Sequence, residues 1–258
     1  MSFAAAEWVL TLKNLFLPVF CKQCGMRLLT EENCSFCPTC WEMSPRIERP
    51  YCPVCGRPHA PGVGYGARDN TLCGPCSAEK VERPYRFIFG AAVYDGAVGE
   101  AIRLFKFNGK RRLAEPLSEL IVSAVETELD CDSYTALVPV PLYKVRLRER
   151  GYNQSALLVR GILAAFPNAH VDESLRRIRP TRVQSLLTDP TERRENVRGA
   201  FAVEGDSRLA GAKVLLVDDV VTTGGTVREC AETLKNAGAA TVDVVAVALA
   251  LPHDRRSR

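Results

Sequence analysis

The run of residues from Val214 to Thr226, VLLVDDVVTTGGT, constrains the fold of this chain more than any other segment. Its apolar residues predict a buried strand over residues 213–217, and an acidic pair stands at the carboxyl end of that strand. A helix is predicted over residues 226–236 and another apolar strand over 242–248. Because a strand, a crossover helix and a second strand form a βαβ unit, we expect an α/β fold with a largely parallel sheet.

The loop after the acidic pair has the composition of a phosphate site. Its members are three threonines and two glycines: Thr222, Thr223, Gly224, Gly225 and Thr226. The hydroxyls donate hydrogen bonds, the glycines permit a tight turn with inward N–H groups, and the helix N-terminus adds positive potential. Asp218 and Asp219 would repel a phosphate but suit ribose hydroxyls, directly or through Mg²⁺. A turn of this kind without any ligand is the alternative, and composition alone leaves it open.

The order of four apolar residues, two aspartates, two further positions and TTGGT resembles the thirteen-residue signature of type I phosphoribosyltransferases. The resemblance implies a parallel sheet with helices on both faces, and binding of 5-phosphoribosyl 1-diphosphate with Mg²⁺. In that family a nucleophile displaces diphosphate at the anomeric carbon, so positioning and charge neutralisation would provide most of the rate. Carried over to this chain, Asp218 and Asp219 are the catalytic pair on the ribose hydroxyls, and residues 222–226 hold the 5-phosphate.

The same resemblance implies where the diphosphate binds. The diphosphate loop of the family follows an early strand, which corresponds here to the strand predicted over residues 136–140. The matching loop residues are Pro139, Val140 and Pro141. Arg146, Arg148 and Arg150 lie just beyond, and their guanidinium groups suit the charge of a diphosphate.

A longer resemblance covers nearly the whole chain. The matching segments are PVPLYKVRLRERGYNQSALL from Pro139, then Gln184, Arg193, Asn196 and Ala200-Phe201, and, earlier, Tyr94-Asp95-Gly96 and residues 104–107. Together with the cysteine knuckles before them, they resemble the ComF family of competence proteins and its gluconate-utilisation relatives. The resemblance implies a role in DNA uptake during natural transformation, on the cytoplasmic side, with a helicase-like partner.

The segment between Pro141 and Ala200 is strongly basic. It has twelve basic residues, Lys144 and eleven arginines, against six acidic ones. Single-stranded DNA would be attracted to such a segment, and Tyr143 and Tyr152 could stack on bases. The alternatives are that the arginines bind diphosphate or form a solvated surface, and that the tyrosines pack against a helix.

Eight cysteines form four CxxC pairs before residue 80, with the spacing of a double zinc ribbon. The predicted ligand sets are Cys21, Cys24, Cys37 and Cys40 for one structural zinc ion, and Cys52, Cys55, Cys73 and Cys76 for a second. Each short turn presents two thiolates to one tetrahedral ion. Cys34 is a rival ligand to Cys37, because CSFC overlaps CPTC, while Cys131 and Cys230 stand alone and are expected to be spare thiols.

Composition changes near residues 83 and 84, so we expect three parts: an apolar lead-in over 1–20, the double zinc ribbon over 21–82 and the phosphoribosyltransferase-like domain over 83–258. Within the last part the pattern predicts a strand over 87–93, helices over 98–107, 113–129 and 153–166, and a long loop over 181–198. Thiolate metal ligands suit a reducing compartment, which predicts a cytoplasmic protein. No apolar stretch reaches the roughly 20 residues of a membrane helix, so we expect no membrane span.

Two functions remain open at this point. One is an active phosphoribosyltransferase whose acceptor cannot be identified from the sequence. The other is a catalytically inactive version of the fold that binds DNA or a partner. A zinc-dependent hydrolase is disfavoured, because none of the three histidines has the spacing of a catalytic metal site.

Overall fold

The apolar run that begins at Val214 forms the central strand of a parallel sheet in the computed structural model, which describes residues 18–28, 35–59, 71–79, 81–181, 196–205 and 208–251. The five strands of this sheet are β3 (Ile88–Val93), β4 (Ala136–Pro139), β5 (His170–Val171), β8 (Lys213–Val221) and β9 (Thr241–Leu249). Their spatial order is β3-β9-β8-β4-β5, and every neighbouring pair is parallel. Two short antiparallel pairs join β1 (Val19–Phe20) to β2 (Arg27–Leu28) and β6 (Leu175–Arg177) to β7 (Phe201–Val203).

Helices cover both faces of the five-stranded sheet. The helices are α1 (Pro38–Glu42), α2 (Gly74–Ala78), α3 (Gly96–Phe107), α4 (Ala114–Glu128), α5 (Lys144–Arg150), α6 (Gln154–Ile162) and α7 (Gly225–Asn236). Side chains alternate along a strand, so Leu215 and Val217 pack with α3, α4 and α6, while Val214 and Leu216 pack with α7. The predicted fold class, a parallel sheet with helices on both faces, is confirmed.

The strand predicted to end at Val217 continues to Val221, so that prediction was too short. Backbone pairing with β9 extends to Val220 and Val221, opposite Ala248 and Leu249. The acidic pair therefore lies inside the strand and not after it. Side-chain polarity suggested an end, but the ladder of backbone hydrogen bonds decides where a strand stops.

The basic residues just beyond Pro141, for which no helix was predicted, form the seven-residue helix α5. Gly151 ends it in the left-handed conformation, at φ +74°, where its N–H bonds to the carbonyl of Leu147. The long loop predicted over residues 181–198 falls mainly on residues 182–195, outside the described part of the chain. Within the described ranges, every helix is too short or too polar to cross a bilayer.

At β3, the outer edge of the sheet is covered by a segment of the cysteine-rich part of the chain. Ile47 donates its N–H to the carbonyl of Ala91 at 3.2 Å, and Ile88 donates to the carbonyl of Val54 at 2.8 Å. An uncovered edge strand offers unpaired backbone groups to other chains. The cysteine-rich part is thus joined to the sheet by backbone hydrogen bonds as well as by side chains.

The eight paired cysteines form two clusters that fit two structural zinc sites. Within each cluster the four sulfur atoms lie within 4.8 Å of one another. Four thiolates at the Zn–S distance of ~2.3 Å around a tetrahedral ion are separated by roughly 3.8 Å. The Sγ atoms of Cys24 and Cys37 are 3.8 Å apart, and those of Cys55 and Cys73 are 3.5 Å apart. Cys37 is in the first cluster, and its rival Cys34 lies outside the described residues.

Backbone N–H groups prepare one thiol of each cluster for a metal. Burial raises the pKa of Cys21, but N–H groups of Cys37 and Cys24 outweigh it and lower the pKa to about 6. Burial likewise raises the pKa of Cys52, and N–H groups of Cys73 and Cys55 lower it to about 7. The knuckle turns therefore stabilise the thiolate that a zinc ion requires.

We predict that Cys52→Ser lowers the zinc content from two ions per chain to one and makes the chain near residue 52 sensitive to limited proteolysis. The reason is that a small module with few buried apolar residues depends on its metal for folding. Zinc content is measured by a chromophoric chelator after digestion. The control is Cys131→Ser, which removes a lone thiol and should leave two ions bound. Equal zinc content in the two variants would contradict the assignment.

Candidate functional site

The acidic pair lies where strand β4 leaves the sheet. The last paired residues of β4 and β8 are Pro139 and Val217, and the N–H of Val140 donates to the carbonyl of Val217 at 2.9 Å. Beyond that point β8 continues with Asp218 and Asp219 while its β4 neighbour turns away. The pair is therefore at the carboxyl edge of the sheet, which is the usual ligand side of an open parallel sheet.

Asp219 is buried and forms an ion pair with Lys106 at the end of α3. The Nζ atom of Lys106 lies 2.8 Å from Oδ1 of Asp219, and both side chains are mostly shielded from solvent. Burial lowers the pKa of Lys106, but the charges of Asp219 and Asp218 outweigh it, so the net pKa is raised. The lysine thus stays charged and offsets one of the two carboxylates.

Asp218 is held by hydrogen bonds on its Oδ1 atom. It accepts from Oγ of Ser155 on α6 at 3.3 Å and from the N–H of Asp219 at 2.8 Å. Burial, followed by the charge of Asp219, raises the pKa of Asp218 to about 7, against the opposing charge of Lys106. Two adjacent carboxylates on one strand cannot both ionise freely at a site that water scarcely reaches.

Lys106 and Ser155 were not among the predicted site residues. Lys106 lies in the segment 104–107, which the family resemblance had singled out, and it stands between the apolar Phe105 and Phe107 near the end of α3. A lysine between two phenylalanines in a segment shared with the family was the only indication in the sequence that Lys106 belongs to the site. Ser155 follows the helix-capping Asn153 and carries no signal of its own, because only the tertiary structure brings α6 beside β8.

Residues 222–226, the predicted phosphate loop, follow β8 and run into the first turn of α7. Gly224 adopts φ +77° at the N-cap of α7, a conformation that side chains other than glycine rarely take, and Gly225 begins the helix. Gly224 has no side chain that could cap the helix. Thr222 and Thr223 are exposed on the loop. The positive end of the helix dipole beside these hydroxyls provides a ready anion site.

The predicted diphosphate arginines do not all lie near the acidic pair. Arg150 is half-buried, with its guanidinium 5.1 Å from the ring centroid of Phe107 and 3.0 Å from the amide oxygen of Gln154. Burial lowers the pKa of Arg150, and the negative charge of Asp219 opposes that effect. Arg146 is exposed and forms an ion pair with Glu149 at 2.9 Å, and Arg148 is also exposed. Arg150 is therefore the one of the three that the structure brings next to the carboxylates.

A further arginine, Arg177 on β6, belongs to the same region and was not predicted. Its guanidinium lies 5.4 Å from the ring centroid of Phe201 and donates from Nη2 to Thr181. Its buried Nε has no hydrogen-bond partner among the described residues. Burial lowers the pKa of Arg177, while the charges of Cys230 and Asp218 oppose that effect. A buried guanidinium with an unused donor close to Asp218 is suited to an anionic ligand.

The two tyrosines considered for base stacking differ in exposure. Tyr152 is buried, its hydroxyl donates to the carbonyl of Phe105, and its ring packs against that of Phe105. The stacking alternative is therefore wrong for Tyr152, which is a packing residue. Tyr143 is partly exposed at the N-cap of α5.

We predict that Asp218→Asn makes the protein progressively more stable than the wild type as the pH rises from about 4 to about 7. The pKa of Asp218 is raised to about 7 in the folded chain, against 3.8 for an aspartate in an unfolded chain, so the folded state keeps a proton that the unfolded state has lost. The folded state therefore binds more protons in this window and loses stability as the pH rises. The difference in unfolding free energy between Asp218→Asn and the wild type should grow by roughly 1–3 kcal/mol over this pH range. Urea unfolding at several pH values measures it.

The control for this comparison is Asp132→Asn, which changes an exposed aspartate in the 3-10 turn Cys131–Ser133. Its stability should follow the wild-type pH profile. A gap between Asp218→Asn and the wild type that does not vary with pH would contradict the raised pKa.

Comparisons with known proteins match both parts of the chain. Residues 174–258 match the phosphoribosyl transferase domain family, and residues 12–77 match the double zinc ribbon domain family. Among solved structures, the chain aligns with phosphoribosylpyrophosphate synthetase from Mycobacterium smegmatis at a TM-score of 0.32 and 17% identity, covering 51% of this chain and 33% of that one.

Several relatives are similar to this chain over most of its length, across both of the matched domains. "DNA utilization protein YhgH" from Escherichia coli O157:H7 is 31% identical over 236 residues, covering 89% of this chain and 96% of the relative. "Competence protein F" from Haemophilus influenzae is 29% identical, covering 78% and 85%, and "Competence protein ComFC" from Bacillus subtilis is 26% identical, covering 79% of each. A double zinc ribbon, a phosphoribosyltransferase-type sheet and these relatives together establish that the chain belongs to the ComF family.

Proposed function

We propose that this chain binds 5-phosphoribosyl 1-diphosphate, or a related ribose phosphate, together with Mg²⁺ at the carboxyl edge of β8. The observation that carries the proposal is the position of the acidic pair Asp218 and Asp219 on the same strand that leads into the loop and the N-terminus of α7. Carboxylates suit ribose hydroxyls, and a glycine-containing loop at the positive end of a helix suits the 5-phosphate. These two groups are parts of one ligand.

The donor set fits a partly hydrated Mg²⁺ better than a closed protein cage. Asp219 is already paired with Lys106, whereas Asp218 uses only one oxygen for its two hydrogen bonds. Mg²⁺ keeps several waters and is usually held by one or two carboxylates and the phosphates of a substrate. Asp218 would be the protein ligand of the Mg²⁺. When bound, the cation would neutralise part of the negative charge of the diphosphate.

The chain's own residues would assist displacement at the anomeric carbon by position and charge. The bond from C1 to the diphosphate oxygen breaks, its electron pair leaves with the diphosphate, and a bond from the acceptor's nucleophile forms. Arg150 and Arg177, the half-buried cations near the acidic pair, would stabilise the departing charge. Lys106 would hold Asp219 in place against the ribose.

The biological role we propose is the handling of DNA in natural transformation. Relatives of this chain are called a DNA utilization protein and competence proteins. Two thiolate clusters suit a reducing compartment, so we place this role in the cytoplasm. A helicase-like competence protein would be the partner that moves the DNA strand.

A second candidate is a protein that keeps the fold but uses it to bind single-stranded DNA without turnover. The observation in its favour is the surface of α5, where Lys144, Arg146 and Arg148 are exposed beside Val145 and Leu147. Cations release counterions from a phosphate backbone, and apolar side chains between them can contact bases. Arg150, in contrast, is half-buried and interacts with the charge of Asp219, so it would be shared by both candidates.

We predict that the zinc-loaded chain binds 5-phosphoribosyl 1-diphosphate in the presence of Mg²⁺, and that Asp218→Asn with Asp219→Asn weakens this binding by at least about a hundredfold, or ~2.7 kcal/mol. The reason is that the double variant loses the acceptors for the ribose hydroxyls and for the cation. Isothermal titration calorimetry measures the affinity. Asp132→Asn is the matched control and should bind as the wild type does. Absence of binding by the wild-type chain would overturn the proposal.

We predict that Arg146→Ala with Arg148→Ala weakens binding of single-stranded DNA and reduces the slope of log K against log salt by ~1.4, since each lost phosphate contact on a single strand accounts for about 0.7. Fluorescence anisotropy with a labelled oligonucleotide at several salt concentrations gives this slope. Arg208→Ala, which changes an exposed arginine outside α5, is the control. An unchanged slope in the double variant would exclude α5 as the contact surface.

A further inference from the structure

One cavity, of about 360 Å³, lies over the phosphate loop and is lined by both parts of the chain. Residues 222–225 of the loop form one wall. The second cysteine cluster and its flanking residues also line the cavity, through Cys55, Arg57 and Cys76. Two of the four thiol ligands of that cluster therefore line the cavity into which the loop faces. The first cysteine cluster contributes no residue to this lining.

Contacts at β3 seat the second cluster beside the loop. The turn between Cys52 and Arg57 lies on the start of β3, where the N–H of Ile88 donates to the carbonyl of Val54 at 2.8 Å. Gly56 has φ +67°, and a Cβ atom at that position would come within 2.6 Å of the carbonyl oxygen of Ile88. The turn is therefore in direct contact with the sheet, with no room for a side chain between them.

The second cluster is also tied to the helix that follows the phosphate loop. Glu79, just after α2, forms an ion pair with Arg228 in the first turns of α7 and another with Arg83 at 2.7 Å. Arg83 donates a further hydrogen bond to the carbonyl of Cys76 at 3.0 Å. A shift of the second cluster would thus pull on the first turns of α7. We therefore expect a displacement of the second cluster to displace the loop as well.

The cavity has an excess of positive charge. Three guanidinium groups line it, from Arg57, Arg83 and Arg228, against the single carboxylate of Glu79. Glu79 is engaged by two of them, whereas the half-buried Arg57 has no ion pair among the described residues. The N-terminus of α7 adds further positive potential. Arg57 and the loop line the same cavity, so an anion in it would be attracted by both.

We propose that the second zinc cluster forms the outer wall of the 5-phosphate subsite, with Arg57 as a phosphate-binding residue. It follows that ligand binding at the loop and metal retention at the second cluster support each other. This inference rests on the proposed function for the identity of the ligand. A ligand that binds only when the wall is in place must stabilise the wall, and the coupling is reciprocal. The first cluster contributes no residue to the lining of this cavity, so we expect its metal not to respond to the ligand.

The first test compares Arg57→Ala with Arg208→Ala in the zinc-loaded full-length chain. Calorimetric titration uses 5-phosphoribosyl 1-diphosphate with Mg²⁺, and zinc content is measured on the same samples. Arg57→Ala should keep two zinc ions and lose roughly tenfold or more in affinity, because a charge-assisted hydrogen bond to the phosphate is removed. Arg208→Ala should bind as the wild type does. Equal affinity of the two variants would overturn the role of Arg57.

The second test follows zinc release to a zinc-selective chromophoric chelator with and without 5-phosphoribosyl 1-diphosphate and Mg²⁺. One of the two zinc equivalents should leave severalfold more slowly when the ligand is present, and the other at an unchanged rate. In Cys24→Ser, which disables the first cluster, the protected equivalent should be the one that remains. Unchanged release of both equivalents, with ligand binding verified, would overturn the coupling.

The outcomes separate this inference from the function on which it rests. If the wild-type chain does not bind the ligand at all, the proposed function fails and the inference fails with it. If the wild type binds but neither Arg57→Ala nor zinc release responds, the function stands and the second cluster is only a structural support.

Discussion

Two adjacent carboxylates in the central strand, Asp219 buried and Asp218 partly buried, impose the strongest physical demand on this fold. Removing carboxylates from water is unfavourable unless a cation or hydrogen-bond donors replace the lost hydration. Here α3 supplies Lys106 to Asp219, and α6 supplies Ser155 to Asp218. The helices on one face of the sheet therefore do more than cover its apolar side chains. They hold a charged site at the point where β4 ends and β8 continues.

Metal and backbone pairing replace a hydrophobic core in the N-terminal part of the chain. Within the described ranges this part has few large buried side chains, and its cysteine clusters bring distant turns together. Its chain also covers the β3 edge of the sheet, through Ile47 and Val54. The zinc ribbon is consequently built into the sheet domain, which is why its second cluster can share a cavity with the phosphate loop.

Much of the fold and part of the site could be predicted from local patterns. The apolar runs at β3 and β9, the amphipathic helices and the CxxC spacing each depend on neighbouring residues, so the sequence contains the necessary information. The end of β8 was misjudged because Asp218 and Asp219 look like a strand terminus, whereas pairing with β9 continues past them. Lys106 and Arg177 were missed because their roles depend on which strand lies beside them.

Local sequence patterns are sufficient to predict the family, the α/β class, the two sets of four cysteines and the succession of strand, acidic pair and glycine-containing loop. Each of these is encoded by residues close together in the chain, where spacing alone sets geometry. Three features depend on the tertiary structure: Lys106 pairs with Asp219, the charge of Asp219 acts on Arg150, and Arg57 lines the same cavity as the phosphate loop. These contacts join residues far apart in sequence, and packing of helices and modules against the sheet brings them together.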